Sequence, residues 1–352
     1  MSLRPHAAVP CGAMVLLLLV GSPACGARSP LEGAHSEGPG ASSDAGTTLD
    51  AASAPHPSSV VLFGGTRNDG TGTVLADTWT WDGAGWTQAK VPGPPGRYGA
   101  VMAPLRGQVV LYGGFGPDSG DTALTDTWSW NGAGWSRLSS SGPPARIGTV
   151  MAPLGDALVL FGGFGSPSPN ALTQSLGDTW TWDGTRWTQR DVAGPPPRDG
   201  AVMARLGDEL VLFGGRDREG NTYYADTWTW DGATWTQRDA AGPSSRSDAV
   251  MAPFEGKLVL LGGDCYCAPP SGTFDSDTWA WDGANWTRSG ANGPALFLAA
   301  IAPSGGQLVV FGGISPMSFA DSPATQIWNG TSWAAVATTG PSARDSAAMA
   351  SP

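Results

Sequence analysis

The strongest constraint on this chain is that it repeats itself. An apolar run ending in Gly-Gly occurs six times: VVLFGG to Gly65, VVLYGG to Gly114, LVLFGG to Gly163 and to Gly215, LVLLGG to Gly263 and LVVFGG to Gly313. The intervals are 48 to 52 residues. After each pair comes a variable stretch and then a tryptophan motif: DTWTWDG at Asp77, Asp178 and Asp226, DTWSWNG at Asp126 and DTWAWDG at Asp277. The sixth copy is worn to TQIWNG, Thr325 to Gly330. A further Trp follows each motif, then a Pro-rich turn, usually an Arg, and an apolar segment such as RYGAVMAPL from Arg97. A fixed period of this length means one supersecondary unit per copy, stacked on its neighbours because no unit can bury its apolar faces alone.

Each unit reads as four short strands. The segment starting at the Arg is the first, and the run into Gly-Gly is the second. T-W-x-W is the third, its period of two placing both indoles on one face. An Asp-Gly or Asn-Gly turn then leads to a fourth strand with the third Trp. All 17 Trp lie in these copies, three in each of five and Trp328 and Trp333 in the sixth. A binding aromatic is expected in some copies only, so packing between units is the expected role. Each buried indole removes about 150 to 250 Å² from water.

In order and spacing, the Gly-Gly strand end, the paired aromatics and the single Trp beyond them resemble the kelch-repeat β-propellers, over residues 59–352. The WD dipeptide is present, but WD-repeat units are shorter and lack this Gly-Gly end. The TWDGAGW hairpin is similar to the Asp-box of sialidase-like propellers without keeping its glycine spacing. The resemblance implies an all-β fold of four-stranded blades. The chain enters at a second strand, SSVVLFGG, and ends with PSARDSAAMASP, which matches a first strand. The C-terminal strand should therefore complete the N-terminal blade and close a six-bladed ring without a free sheet edge.

Composition narrows the function. A net charge of -11 and few basic residues argue against nucleic acid, which needs clustered Lys and Arg. The three histidines, His6, His35 and His56, all precede the repeats. A Ser-His-Asp triad and a His-ligated metal site within them are therefore excluded. The copper chemistry of galactose oxidase, a kelch enzyme whose site uses histidines, is not carried over. No metal or cofactor is expected.

Residues 1–25 read as an export signal, with Arg4 ahead of the apolar AMVLLLLV, Ala13 to Val20, too short to span a bilayer. SPAC, ending at Cys25, resembles the lipobox of bacterial lipoproteins, although Ser22 stands where Leu is usual. Lipidation of Cys25 and plain cleavage after Ala24 or Ala27 are the two readings. Residues 26–58, rich in Ala, Gly, Ser and Pro, are expected to be a disordered tether. The chain is thus expected at the cell envelope or surface, on the membrane through Cys25 if lipidated and secreted otherwise.

Three sets of residues could carry chemistry. Arg97, Arg146, Arg198, Arg246 and Arg344 open the first strands, with Leu296 at the sixth position. The kelch resemblance implies that such arginines line a channel mouth and grip acidic ligands. The alternative is that each pairs with a local Asp or backbone carbonyl as part of its blade. The loops after Gly-Gly are the least repeated segments, and variable loops on a rigid scaffold suit recognition of a protein or carbohydrate. Among them RDREGNTYY, Arg216 to Tyr224, is the most polar and aromatic, and Glu219, Tyr223 and Tyr224 are the acid/base candidates. Cys265 and Cys267 form an isolated C-x-C pair, read as a loop disulfide whose small ring could be redox-labile. The reading that follows is a binding or scaffold module. The other is a sugar-modifying enzyme, resembling the kelch-type sialic-acid mutarotases, that holds an anionic sugar at the arginines.

Overall fold

The computed structural model describes residues 60–117, 124–165, 173–264, 276–336 and 339–352. They form six antiparallel blades of four strands in the order first, second, third, fourth, one of which gains a short fifth strand, and a separate two-stranded hairpin, Arg216–Asp217 with Thr222–Tyr223. This is a six-bladed β-propeller. Blade II shows the plan, with strands Val101–Leu105, Gln108–Tyr112, Thr127–Trp130 and Trp135–Ser139. Blades III to VI follow in sequence, their second strands Ala157–Gly165, Glu209–Phe213, Lys257–Leu261 and Gln307–Phe311. Blade I takes Ala348–Ala350 as its first strand beside Val60–Phe63, with Leu62 opposite Met349. The two ends of the repeat array thus meet in one sheet, as expected. The Arg lies just ahead of the regular first strand rather than in it. Only in blade III do Arg146–Ile147 form a short strand of their own, against the extended second strand.

The repeated residues are the joints between blades. Across each junction the third Trp donates its indole N–H to the hydroxyl of the DTW threonine one blade back. The bonds are Trp135 to Thr78, Trp187 to Thr127, Trp235 to Thr179, Trp286 to Thr227, Trp333 to Thr278 and Trp86 to Thr325, all 2.9 to 3.0 Å. The last bond crosses the closure. At four junctions the same indole packs edge-on against the aromatic that ends the preceding second strand, as in Phe63–Trp135 at 5.3 Å; Tyr112–Trp187 is tilted, and Leu261 takes the aromatic's place before Trp333. The indole also lies against the glycine of the Gly-Pro turn. A Cβ on Gly242 would sit 2.6 Å from Trp286 Cδ1, which is why this turn keeps glycine.

The Gly-Gly ends serve the junctions too. Gly162 has a φ of +63°, and a Cβ there would be 2.6 Å from the carbonyl of Arg198 in the next blade. Its neighbour Gly163 donates its N–H to that carbonyl at 2.8 Å. The middle Trp of each motif, such as Trp182 and Trp281, is fully buried between sheets. The propeller axis is narrow and apolar. Met102, Met151, Met203, Met251, Ile301 and Met349 occupy one level of it, with small cavities of about 180 and 150 Å³ to either side.

Candidate functional site

The five motif arginines are consumed by the scaffold. Each guanidinium is 0 % exposed and lies against the aspartate that opens DTW in its own blade: Arg97–Asp126, Arg146–Asp178, Arg198–Asp226, Arg246–Asp277 and Arg344–Asp77, at 2.6 to 3.0 Å. Four of the pairs are two-armed; Arg246 turns its second arm to Ser244 Oγ. Each arginine also donates to the first Gly-Gly carbonyl, as Arg97 does to Gly113 at 2.9 Å. The aspartate in turn accepts the first tryptophan's indole N–H, Trp128 to Asp126 at 2.7 Å being one of five such bonds. Burial alone would raise these carboxyls. The arginine's hydrogen bonds and charge, with the indole, outweigh it and hold all five below the usual carboxylate range. Blade VI lacks the whole set, with Leu296, Ala324 and Gln326 in place of Arg, Asp and Trp. Three residues change together because any one of them left behind would be a buried, unmatched group.

The residue after each arginine is a different matter. At that position stand Tyr98, Ile147, Asp199, Ser247, Phe297 and Asp345, each bridged to the residue after Gly-Gly: Phe115, Phe164, Arg216, Asp264, Ile314 and Thr66. The following residue is left-handed in every blade: Gly99, Gly148, Gly200, Asp248, Leu298 and Ser346, with φ between 53° and 64°. Five backbone bonds link these six in series around the axis, for instance Asp248 N–H to the Gly200 carbonyl at 2.7 Å and Gly99 N–H to the Ser346 carbonyl at 2.9 Å. The channel mouth on the loop face is therefore a tight backbone ring. Around it the side chains divide. Blades II and III contribute an apolar arc, where Tyr98 stacks on Phe115 at 5.6 Å. Blades IV and V contribute a charged one.

That charged arc centres on the blade IV loop. Asp199 is 1 % exposed and accepts from Arg218 Nε at 2.8 Å, Arg218 Nη2 at 2.9 Å and Arg216 Nε at 3.3 Å. Arg216 reaches Asp248 at 3.7 Å and Tyr223 Oη at 3.5 Å. Arg218 lies over the Phe164 ring at 4.5 Å, joining the two arcs. Burial raises Asp248 and Asp264, and Arg216 acts against that on both. Burial also works against the Arg216 charge, but Asp248 and Asp199 more than offset it. Unlike the motif arginines, Arg216 and Arg218 keep 23 % and 34 % of their side chains exposed.

Of the acid/base candidates, only Tyr223 joins this arc. Glu219 turns toward blade III, where both carboxylate oxygens accept the Ser175 N–H at 3.0 and 3.2 Å. Tyr224 covers the buried Arg198 guanidinium at 3.9 Å, as part of the scaffold. Cys25, Cys265 and Cys267 lie outside the described residues. Among the described residues no group of three or more His, Cys, Asp or Glu is placed to hold a metal ion. Sequence reasoning did not name Asp199, Asp248, Arg216 or Arg218 as site residues, although Arg216 and Arg218 lie in the loop it singled out. The signal for Asp199 and Asp248 was the pair of positions after the arginine, which varies from blade to blade inside a repeated motif.

Fold and site together define a six-bladed β-propeller, consistent with the kelch type, whose repeated residues build the ring and whose unrepeated residues gather at one mouth. No protein-family model matches the chain, and no curated protein matches it.

Proposed function

We propose that this protein is an exported kelch-type binding module that takes its ligand on the loop face, at the divided channel mouth. One observation carries the reading: residues that repeat are spent on the scaffold, whereas the bridged pair of residues at the mouth is a different combination in every blade. An aromatic arc beside a charged one suits a ligand with both an apolar face and hydrogen-bonding edges, such as a saccharide or a peptide with mixed side chains. Arg216, Arg218 and Tyr223 are the polar contacts of this reading, and Tyr98 its platform. The five buried arginines are not contacts, because freeing one strands a carboxylate in the blade. A lipid anchor at Cys25 would hold this module at a membrane surface.

A glycan and peptide array probed with the wild type, Arg218→Ala and Tyr98→Ala tests this. The expected result is a ligand whose binding, measured on folded protein, falls at least about 10-fold in both variants, equivalent to about 1.4 kcal/mol, with the melting temperature nearly kept in Tyr98→Ala and lowered in Arg218→Ala, where Asp199 keeps only Arg216. Binding that persists in both variants would overturn the mouth as the site.

A further inference from the structure

The seam where blade VI meets blade I brings two carboxyls together. Asp345, which follows the buried Arg344, is 8 % exposed. Its Oδ1 accepts from Ser346 Oγ at 2.6 Å and Thr66 Oγ1 at 3.2 Å. Asp321, from the loop after Gly313, is bridged to Ile314 and lies within hydrogen-bonding reach of Asp345. Asp321 Oδ2 accepts the Asn68 N–H at 2.6 Å, while Oδ1 is buried with no donor among the described residues. Three pieces of chain meet here: the approach to the C-terminal strand, the blade I loop from Thr66 and the blade VI loop that ends at Asp321.

The charged groups on these pieces are occupied elsewhere. Arg344 gives its guanidinium to Asp77 and the Gly64 carbonyl. Arg67 donates its Nε to Ser342 Oγ at 3.2 Å. Asp69 accepts from Thr71 in its own loop. Two ionised carboxylates in contact, Asp345 buried and Asp321 with one oxygen buried, and with Arg344 and Arg67 engaged elsewhere, would repel across the seam. A single proton between them turns the repulsion into an O–H···O bond and supplies the donor that Asp321 Oδ1 lacks.

We propose that Asp321 and Asp345 share a proton and act as an acid-closed clamp on the seam that closes the propeller ring. Burial, and then the Asp321 carboxyl, push Asp345 up to about 6 against the hydrogen bonds from Ser346 and Thr66. A carboxyl raised from its unfolded value of about 3.9 binds its proton more tightly in the folded state. Its stabilisation is therefore complete below about pH 4 and is lost as pH rises through about 6. Opening of the clamp frees the blade VI loop, which carries Met317 and Phe319, 94 % and 64 % exposed, on the ligand face.

The test is urea unfolding of the full chain from pH 4 to pH 7.5 for the wild type, Asp345→Asn and Asp321→Asn, with hydrogen exchange of residues 66–69 and 314–321. An amide keeps the bond at every pH. Between pH 4 and pH 7 the folding constant of the wild type relative to Asp345→Asn should fall by about 100-fold, the two-unit rise expressed as an equilibrium, and relative to Asp321→Asn by a smaller factor, because Asp345 stays buried there. Exchange corrected for its intrinsic rate should be slower at pH 5 than at pH 7.5 in the wild type, and the difference should be smaller in Asp321→Asn. A difference from the variants that does not change with pH would overturn the clamp. So would protection at pH 7.5 that appears with calcium and disappears with a chelator, since a cation would then hold the pair. If Asp345→Asn does not fold, the exchange comparison with Asp321→Asn decides alone.

Discussion

The Arg–Asp–Trp sets show how a charged residue becomes scaffold. A buried arginine is tolerable only with its charge and its hydrogen bonds matched, and each set does both within one blade. Asp178→Ala should cost about 3 to 5 kcal/mol in urea unfolding, because Arg146 is left charged and buried. Replacing the whole set as blade VI does, Arg146→Leu with Asp178→Ala and Trp180→Gln, should cost less than that single change. If the triple variant is the less stable one, the set is not an interchangeable unit. Acid acts on the same residues. Their carboxyls are held below the usual range, so the stability they give is present above about pH 4 and fades as pH falls through their folded values. This is opposite in sign to the Asp321–Asp345 pair. The advantage of the wild type over Asp321→Asn should therefore be larger at pH 5 than at pH 7.5.

At the scale of the element, the blade is held by its neighbour as well as by its own strands. Six Trp-to-Thr bonds, one per junction, fix how each sheet stacks on the last. Thr227→Val keeps the shape but removes the acceptor for Trp286, and should cost about 1 to 3 kcal/mol as a buried N–H left unmatched. Gly242→Ala pushes a methyl into the same indole and should cost about 1 to 3 kcal/mol by overpacking. Both are read by chemical denaturation with tryptophan fluorescence. The middle tryptophans follow another rule. Trp182, Trp230, Trp281 and Trp328 bury indole N–H groups with no partner among the described residues. Their large apolar area outweighs that loss, at ~25 cal/mol per Å² over about 150 to 250 Å² each.

For the whole molecule, closure is what separates a ring from a stack. The strand Ala348–Ala350 pairs with Val60–Phe63, and Arg344 makes the ion pair of blade I across 267 residues of sequence. Truncation after Pro341 should expose the edge of Val60–Phe63 and leave Asp77 unpaired. The expected result is loss of a single cooperative transition in calorimetry and aggregation by light scattering. The repeats by themselves determined the all-β class, the blade unit, the blade number and the closing strand. They could do so because a propeller's packing is local and periodic, so each joint leaves its mark in every copy. They did not determine what the arginines do, since a repeated arginine serves a ring of ligand contacts or a ring of ion pairs equally well. Only the tertiary structure decided that, by placing the Asp, some 30 residues away in four blades and 267 in the fifth, against its Arg and away from solvent. The mouth was hidden for a related reason. Asp199, Arg216, Arg218 and Asp248 come from separate strands and loops, and only the closing of the ring brings their charges together.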